Sequence, residues 1–168
     1  MPDERTAFLS STSFFGGLAP AVVDAVAARL SERKISAGEQ LFAEGESGKS
    51  MYIVRSGELI VQRHCADGTQ ARLLMMRPGD HFGVTSLIDA EPRPFSCRAE
   101  KDSLLYELTT MDLYSLYKSD QKAYVLVLQN INRELCRRLR RAGNRITQFA
   151  DDAEDERTQI RSDVRKPK

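Results

Sequence analysis

Gly79-Asp80-His81-Phe82-Gly83-Val84-Thr85-Ser86-Leu87-Ile88-Asp89-Ala90-Glu91-Pro92-Arg93-Pro94-Phe95-Ser96 is the stretch on which the fold turns. Phe82 to Ile88 fit one helical turn, and Asp89 to Pro94 form a proline-stiffened loop. On both sides the texture is different. From Lys34 to Leu108, glycines at 38, 45, 48, 57, 68, 79 and 83 separate short apolar or alternating runs, the rhythm of strands joined by tight turns. The runs are Gln40 to Phe42, Met51 to Val54, Glu58 to Gln62, Ala71 to Met76, Ser96 to Ala99 and Leu104 to Leu108. Such a meander must hide its strand edges, which favours a barrel or jelly roll. An irregular insertion within it is where a ligand site is expected.

Working outward, Phe8, Leu9, Phe14, Phe15, Leu18, Val22, Val26 and Leu30 recur at helical spacing around Gly16-Gly17, predicting two short helices, the second starting near Ala19 ahead of Pro20. After Leu108, Thr109 or Thr110 with Asp112 marks the start of a short helix through Tyr117. A long helix is predicted from about Asp120 to Ala150. Its stripe of Tyr124, Leu128, Ile131, Leu135, Leu139, Ala142, Ile146 and Phe149 advances in steps of 3 and 4, a mean of about 3.6. That stripe outlasts what a small barrel covers, so a helix from a second copy is the economical partner. From Asp151 to Lys168 an acidic run gives way to a basic end with little apolar content, which predicts a disordered charged tail. The expected organisation is α+β: helices over 1–33, a β-roll over 34–108 with its insertion at 82–96, helices over 109–150, and the tail.

The chain has 168 residues, with 25 Lys+Arg against 24 Asp+Glu, so a whole-protein field for nucleic acid or membrane is absent. At 41% hydrophobic and 29% charged it carries enough apolar material for one core. No apolar run approaches the ~18 residues of a membrane span, and the start, Met1-Pro2-Asp3-Glu4-Arg5, is unlike a signal peptide. The expectation is a soluble, cytoplasmic protein. Cys65, Cys97 and Cys136 form neither a zinc spacing nor a disulfide framework, and read as reduced, mostly buried thiols.

The order helix, β-roll, helical insertion, β-roll, long helix resembles the cyclic nucleotide-binding domain family over about residues 8 to 150. The segments Ala37 to Glu46, Met51 to Leu59 and Gly79 to Gly83 match that family's first strands and turns and the entry to its phosphate-binding cassette. The resemblance implies a cyclic nucleotide-binding-type β-roll (jelly roll) with a flanking long helix. It also implies a short helix holding the cyclic phosphate, an Arg pairing with it, and a Glu accepting from the ribose hydroxyl. A helix N-terminus and a guanidinium act together on the same oxygens. With Phe82 at the cassette's entry, Gly83, Val84, Thr85, Ser86 and Leu87 occupy its short helix, and Arg93 and Ser96 match the phosphate-contacting positions. Val84 stands where the family's ribose-binding Glu is expected. Losing that acceptor removes a hydrogen bond worth about 1.5 to 3 kcal/mol. Ala142 and Gly143 fall where catabolite activators present hydroxyls to the purine, and neither donates. Both departures predict weakened or absent cAMP binding.

Other readings of these residues are blander. Arg93 could instead satisfy loop carbonyls. His64 and His81 lack the companions of a cupin metal site and read as solvated or locally bonded. Arg133, Arg137, Arg138, Arg140, Arg141 and Arg145 read as a solvated helix face more readily than as a nucleic-acid contact. Met75, Met76 and Cys97 read as barrel lining. No activated nucleophile, general-base constellation or metal set is seen, so no enzyme and no cofactor are expected. The 18 residues after Ala150 are too few for the helix-turn-helix domain of many relatives. The leading expectation is a homodimeric sensor of an anionic ligand, a cyclic nucleotide or cyclic dinucleotide, whose long helix closes over the roll. The alternative is an orphan interaction module with a vestigial cassette and an unknown protein partner.

Overall fold

Met75 and Met76 show how the roll is made: Met76 points into the core and Met75, its neighbour, points out, because side chains alternate across a strand. Only Met76 lines the roll. The computed structural model describes residues 4–65, 68–89 and 91–164, with 152–164 as helix backbone. The chain divides into two compact units, Met1–Asn130 and Ile131–Lys168.

In the first unit, helices α1 (Glu4–Ser11) and α2 (Pro20–Ala27) precede the strands. Pro20 sits at the first helical position with Ala19 as N-cap, where a missing N–H costs nothing. The described strands are β1 (Ser31–Ile35), β2 (Gln40–Phe42), β3 (Ser50–Ser56), β4 (Leu59–His64), β5 (Gln70–Met76), β6 (His81–Phe82), β7 (Ser96–Ala99) and β8 (Ser103–Thr109). They form two antiparallel sheets, ordered β1-β8-β3-β6 and β2-β7-β4-β5. The inward faces meet in one core of Ile35, Tyr52, Val54, Phe82 and Leu105 against Phe42, Leu59, Val61, Met76, Cys97 and Ala99. This is the expected α+β architecture, a β-roll (jelly roll) with flanking helices. Each fully buried Ile, Leu or Val of this core contributes about 1.5–3 kcal/mol.

The roll begins three residues earlier than the sequence predicts. Ser31-Glu32-Arg33-Lys34-Ile35 is polar and exposed except at Ile35, yet pairs with β8 from Ser31↔Glu107 to Ile35↔Ser103. It is an edge strand, where charges are favoured because they deter further pairing. The two-residue β6 is held by β3 through Tyr52↔Phe82 and Ile53↔His81.

After β6 comes α3 (Val84–Ile88), and after β8 come α4 (Thr110–Ser119) and α5 (Gln121–Val164). Thr109 is the N-cap of α4: its Oγ1 accepts from the Asp112 amide at 3.1 Å, and the Asp112 carboxylate accepts from the Thr109 amide at 2.8 Å. Within the first unit, the opening of α5 buries Ala123, Val127 and Asn130, one position away from the expected Tyr124 and Leu128, which are half-buried. Asn130 draws the face round, because its Nδ2–H donates to the Phe14 and Gly16 carbonyls at 2.8 and 3.2 Å.

In the second unit α5 does not end near Ala150. The tail expected to be disordered is helical as far as Val164, and residues 165–168 lie outside those described. No Gly or Pro intervenes between Gly143 and Pro167, and Ala, Glu, Arg and Gln sustain a helix without apolar burial. Along the helix Leu139, Ile146 and Phe149 are 75%, 69% and 72% exposed. No described helix is long and apolar enough to cross a membrane.

Candidate functional site: a buried arginine between two glycines

The insertion between β6 and β7 is pinned to the loop before β3. Ser47 bridges to Pro92, the Arg93 amide donates to the Glu46 carbonyl at 2.8 Å, and the Gly45 amide donates to the Arg93 carbonyl at 2.9 Å. These bonds fix the backbone of Arg93 and turn its side chain inward, leaving the residue only 4% exposed.

The guanidinium lies over the Phe42 ring at 4.3 Å and near Tyr52 at 5.7 Å. Two glycines let the main chain approach it. A Cβ on Gly48 would come within 2.7 Å of Arg93 Cζ, and one on Gly83 within 2.7 Å of Nη1. Gly83 also has φ +78, the left-handed region that glycine enters freely, as it turns β6 into α3. Nη2 donates to Ser50 Oγ at 3.3 Å, and the Ser50 hydroxyl donates to Tyr52 Oη at 3.1 Å. Nε and Nη1 are buried and find no hydrogen-bond partner among the described residues. Burial pushes the guanidinium below its ordinary value, with Tyr52 and Glu46 acting in the opposite sense. Arginine cannot shed its proton in a protein, so this is a charge with unfilled donors. An anion supplies what those donors lack.

The other predicted site residues have mixed positions. Phe82 is core, stacked on Tyr52 at 5.5 Å. Val84 is 1% exposed, and Leu87 and Ser86 are buried with it, whereas Thr85 faces solvent. Ser96 is buried, and its Oγ accepts from the Glu44 amide at 2.9 Å, holding the loop that carries Gly45. Ser86 and Leu87 line a cavity of about 350 Å³ with Gly48, Lys49, Thr110 and Met111. Gly48 is therefore shared between the arginine's cage and an opening of small-molecule size. Sequence reasoning missed Phe42, Gly48, Ser50 and Tyr52, because they contact Arg93 from 41 to 51 residues earlier in the chain. A glycine directly ahead of an apolar strand was the available signal at Gly48.

Two of the three cysteines correct the expectation of buried thiols. Cys97 is buried and its thiol is pushed up to about 12 by that burial, but Cys65 and Cys136 are exposed. Cys65 lies at the turn end of the β4–β5 hairpin, and Cys136 on an outward position of α5. Of the two histidines expected to be solvated or locally bonded, His64 is exposed beside Gln70 and Glu44, and His81 is 5% exposed and packs on Phe14 at 5.1 Å.

Two antiparallel sheets, a short helix opened by a left-handed glycine and an inward arginine define a cyclic nucleotide-binding type of β-roll. The chain belongs to the cyclic nucleotide-binding domain family, whose model matches residues 32–120. It is 31% identical over 138 residues to the cyclic AMP receptor protein of Thermus thermophilus, covering 80% of this chain and 60% of that one. It is 29% identical over 142 residues to a CRP-like cAMP-activated global transcriptional regulator of Mycobacterium tuberculosis, covering 82% and 60%. The crystal structure of the Thermus thermophilus catabolite activator protein superposes with a TM-score of 0.75 at 31% identity, over 83% of this chain and 63% of that one. The chain thus spans about three-fifths of the length of these relatives. Relatives of this family are regulatory proteins.

Proposed function

We propose that this chain is a non-catalytic regulatory module that senses an anionic small ligand, the phosphate of a cyclic nucleotide or cyclic dinucleotide, at Arg93. Its cAMP affinity is weakened by Val84, and it signals through a homodimer along α5. The observation that carries this reading is the buried Arg93 guanidinium, whose Nε and Nη1 have no hydrogen-bond partner among the described residues. An unpaired buried charge is costly, and a bound phosphate would offset that cost through charge-assisted hydrogen bonds. The adjacent cavity gives the rest of such a ligand room. The similarity to a cyclic AMP receptor protein and a cAMP-activated regulator supports the ligand class. For the homodimer, the support is the exposed Leu139, Ile146 and Phe149 on a helix that continues to Val164.

The second reading, an orphan interaction module, is favoured by Val84 and Ser96. Val84 cannot accept from a ribose hydroxyl, and the Ser96 hydroxyl already accepts from the Glu44 amide. Calorimetry against cAMP, cGMP and cyclic dinucleotides, on the natural chain and on Arg93→Ala, separates the two. Saturable binding that Arg93→Ala removes supports the sensor; no heat from any of these ligands leaves the interaction module.

A further inference from the structure

Glu107 is an acid on the inner face of a strand. On β8 that face carries Leu105 and Glu107, which pair across the ladder with Val54 and Tyr52 of β3. Residues paired in this way put their side chains on one face, so the half-buried Glu107 stands on the core side of the roll beside Tyr52. A leucine or valine would serve the fold better there, and the carboxylate calls for another reason.

That reason is Arg93. The Tyr52 hydroxyl hydrogen-bonds Glu107 and accepts from the Ser50 hydroxyl at 3.1 Å, and Ser50 Oγ accepts from Arg93 Nη2 at 3.3 Å. Chemistry fixes the direction of this chain. A guanidinium has only donors and a carboxylate only acceptors, so each hydroxyl accepts on the arginine side and donates on the glutamate side. A cation and an anion are thereby joined through two hydroxyls that polarise one another. Burial holds the Tyr52 hydroxyl above its ordinary value, Ser50 opposing and Glu107 adding to the effect, so its proton stays available to the carboxylate. Glu46 also acts on the guanidinium, but it is exposed, and its carboxylate accepts from the Ala43 amide of its own turn at 2.9 Å. Salt screens such an exposed charge far more than one inside the roll.

The compensation is partial, because the chain engages Nη2 and leaves Nε and Nη1 without a partner among the described residues. An anion on those donors would share its arginine with a fixed negative charge. Arg93 alone would favour the more highly charged ligand, and Glu107 takes back part of that advantage in proportion to the ligand's charge.

We infer that Glu107 is a positioning residue of the Arg93 site: through Tyr52 and Ser50 it holds the guanidinium inward in the free protein, and its charge sets the site's preference for singly over doubly charged phosphates. This rests on the anion-sensing reading above and names the residue that tunes it.

The test places Glu107→Gln in the full chain, in Arg93→Met and in Tyr52→Phe. Arg93 is 4% exposed and cannot turn to water, whereas the half-buried Glu107 can. Glu107→Gln should therefore lower the ligand-free melting temperature of the natural chain by about 2 °C or more, and have little effect where Arg93 or the Tyr52 hydroxyl is already gone. Equal losses in all three backgrounds, or a Glu107→Gln chain that folds in none of them, overturn the inference. Folding only in Arg93→Met supports it. Calorimetry then compares cAMP with 5′-AMP at about pH 8, where the monoester carries two charges and the cyclic diester one. Glu107→Gln should tighten 5′-AMP about tenfold and cAMP about threefold, while Glu107→Asp, which keeps the charge, should leave the ratio of the two as it was. A merely structural glutamate would weaken both ligands together. Binding by the natural chain with an unchanged ratio in Glu107→Gln overturns the inference and leaves the sensor standing. Absence of binding of either nucleotide by every chain overturns the sensor and the inference together.

Discussion

The β-roll and the distal part of α5 contain the same kinds of residue put to opposite uses. In the roll, Ile53 is completely enclosed, and even the charged Arg93 is drawn inside by glycines and aromatic rings. On α5, Ile146 and Phe149 remain exposed, and six arginines share the helix with them. A charge inside and apolar groups outside are both uncompensated, and each indicates a missing molecule. On the function proposed above, an anion would answer the first and a second helix the second. The difference between the two regions can be broken by substitutions that treat them alike.

Ile53→Ala should cost about 2–5 kcal/mol, through lost transfer energy and a cavity in β3. Ile146→Ala should change the melting of the monomeric protein by no more than about 0.5 kcal/mol, while weakening self-association at higher concentration. Thermal and urea denaturation of the two variants check this, and equal losses would erase the contrast.

Arg93→Met sharpens the contrast from the other side. Replacing a buried charge with unfilled donors by an apolar side chain of similar length should leave the ligand-free protein as stable as before, or up to about 1–4 kcal/mol more stable. The same change should abolish any stabilisation by cyclic nucleotides. A large drop in the ligand-free melting temperature would instead make Arg93 a structural residue of the loop.

Val84→Glu should lower the ligand-free stability by about 1–3 kcal/mol, because the carboxylate enters a site that is 1% exposed. It should also raise cAMP affinity about 10- to 100-fold, the size of one charge-assisted hydrogen bond. Titration of Val84→Glu and of Val84→Glu with Arg93→Ala tests both halves. A lowered melting temperature without any gain in cAMP binding would favour the interaction module.

Cys97 provides a pH test of the roll alone. Its thiol stays protonated in the fold up to about 12 because of burial, against an ordinary 9.0. The unfolded chain therefore sheds this proton first as the solution becomes alkaline. The stabilisation is whole below pH 9 and declines between 9 and 12, at about 1.4 kcal/mol per unit. Stability measured against pH should lose this decline in Cys97→Ala. In the natural chain a thiol reagent at neutral pH should modify Cys65 and Cys136 quickly and leave Cys97 until unfolding.

The smallest effect should come from deleting residues 151–168. The melting temperature of the roll should move by no more than a few degrees, because about 1 kcal/mol already shifts the midpoint of such a domain by roughly 2 to 8 °C. Dimerisation should persist, since Leu139, Ile146 and Phe149 all precede the deleted segment; sedimentation showing a monomer would place the pairing in residues 151–168 instead.

Much of this architecture was legible in the sequence wherever a side-chain period coincided with burial. Alternation and glycine spacing located six of the strands, Pro20 and Thr109 located two helix starts, and Phe82-Gly83 with Arg93 located the cassette. What escaped was set by partners far along the chain. The polar Ser31-Glu32-Arg33-Lys34 becomes a strand because β8 offers it an edge. The face of α5 rotates by one residue because Asn130 finds the Phe14 and Gly16 carbonyls. The helix runs past Ala150 because no residue stops it, although composition there suggested disorder. Residue types and their order thus determined the family, the position of Arg93 and the charge order of α5, since each is a property of the chain read locally. Only the tertiary structure decided that Arg93 is sealed against Phe42, Tyr52, Gly48 and Gly83 with two donors unfilled. Burial depends on what the rest of the chain brings to a residue, and no local period encodes that.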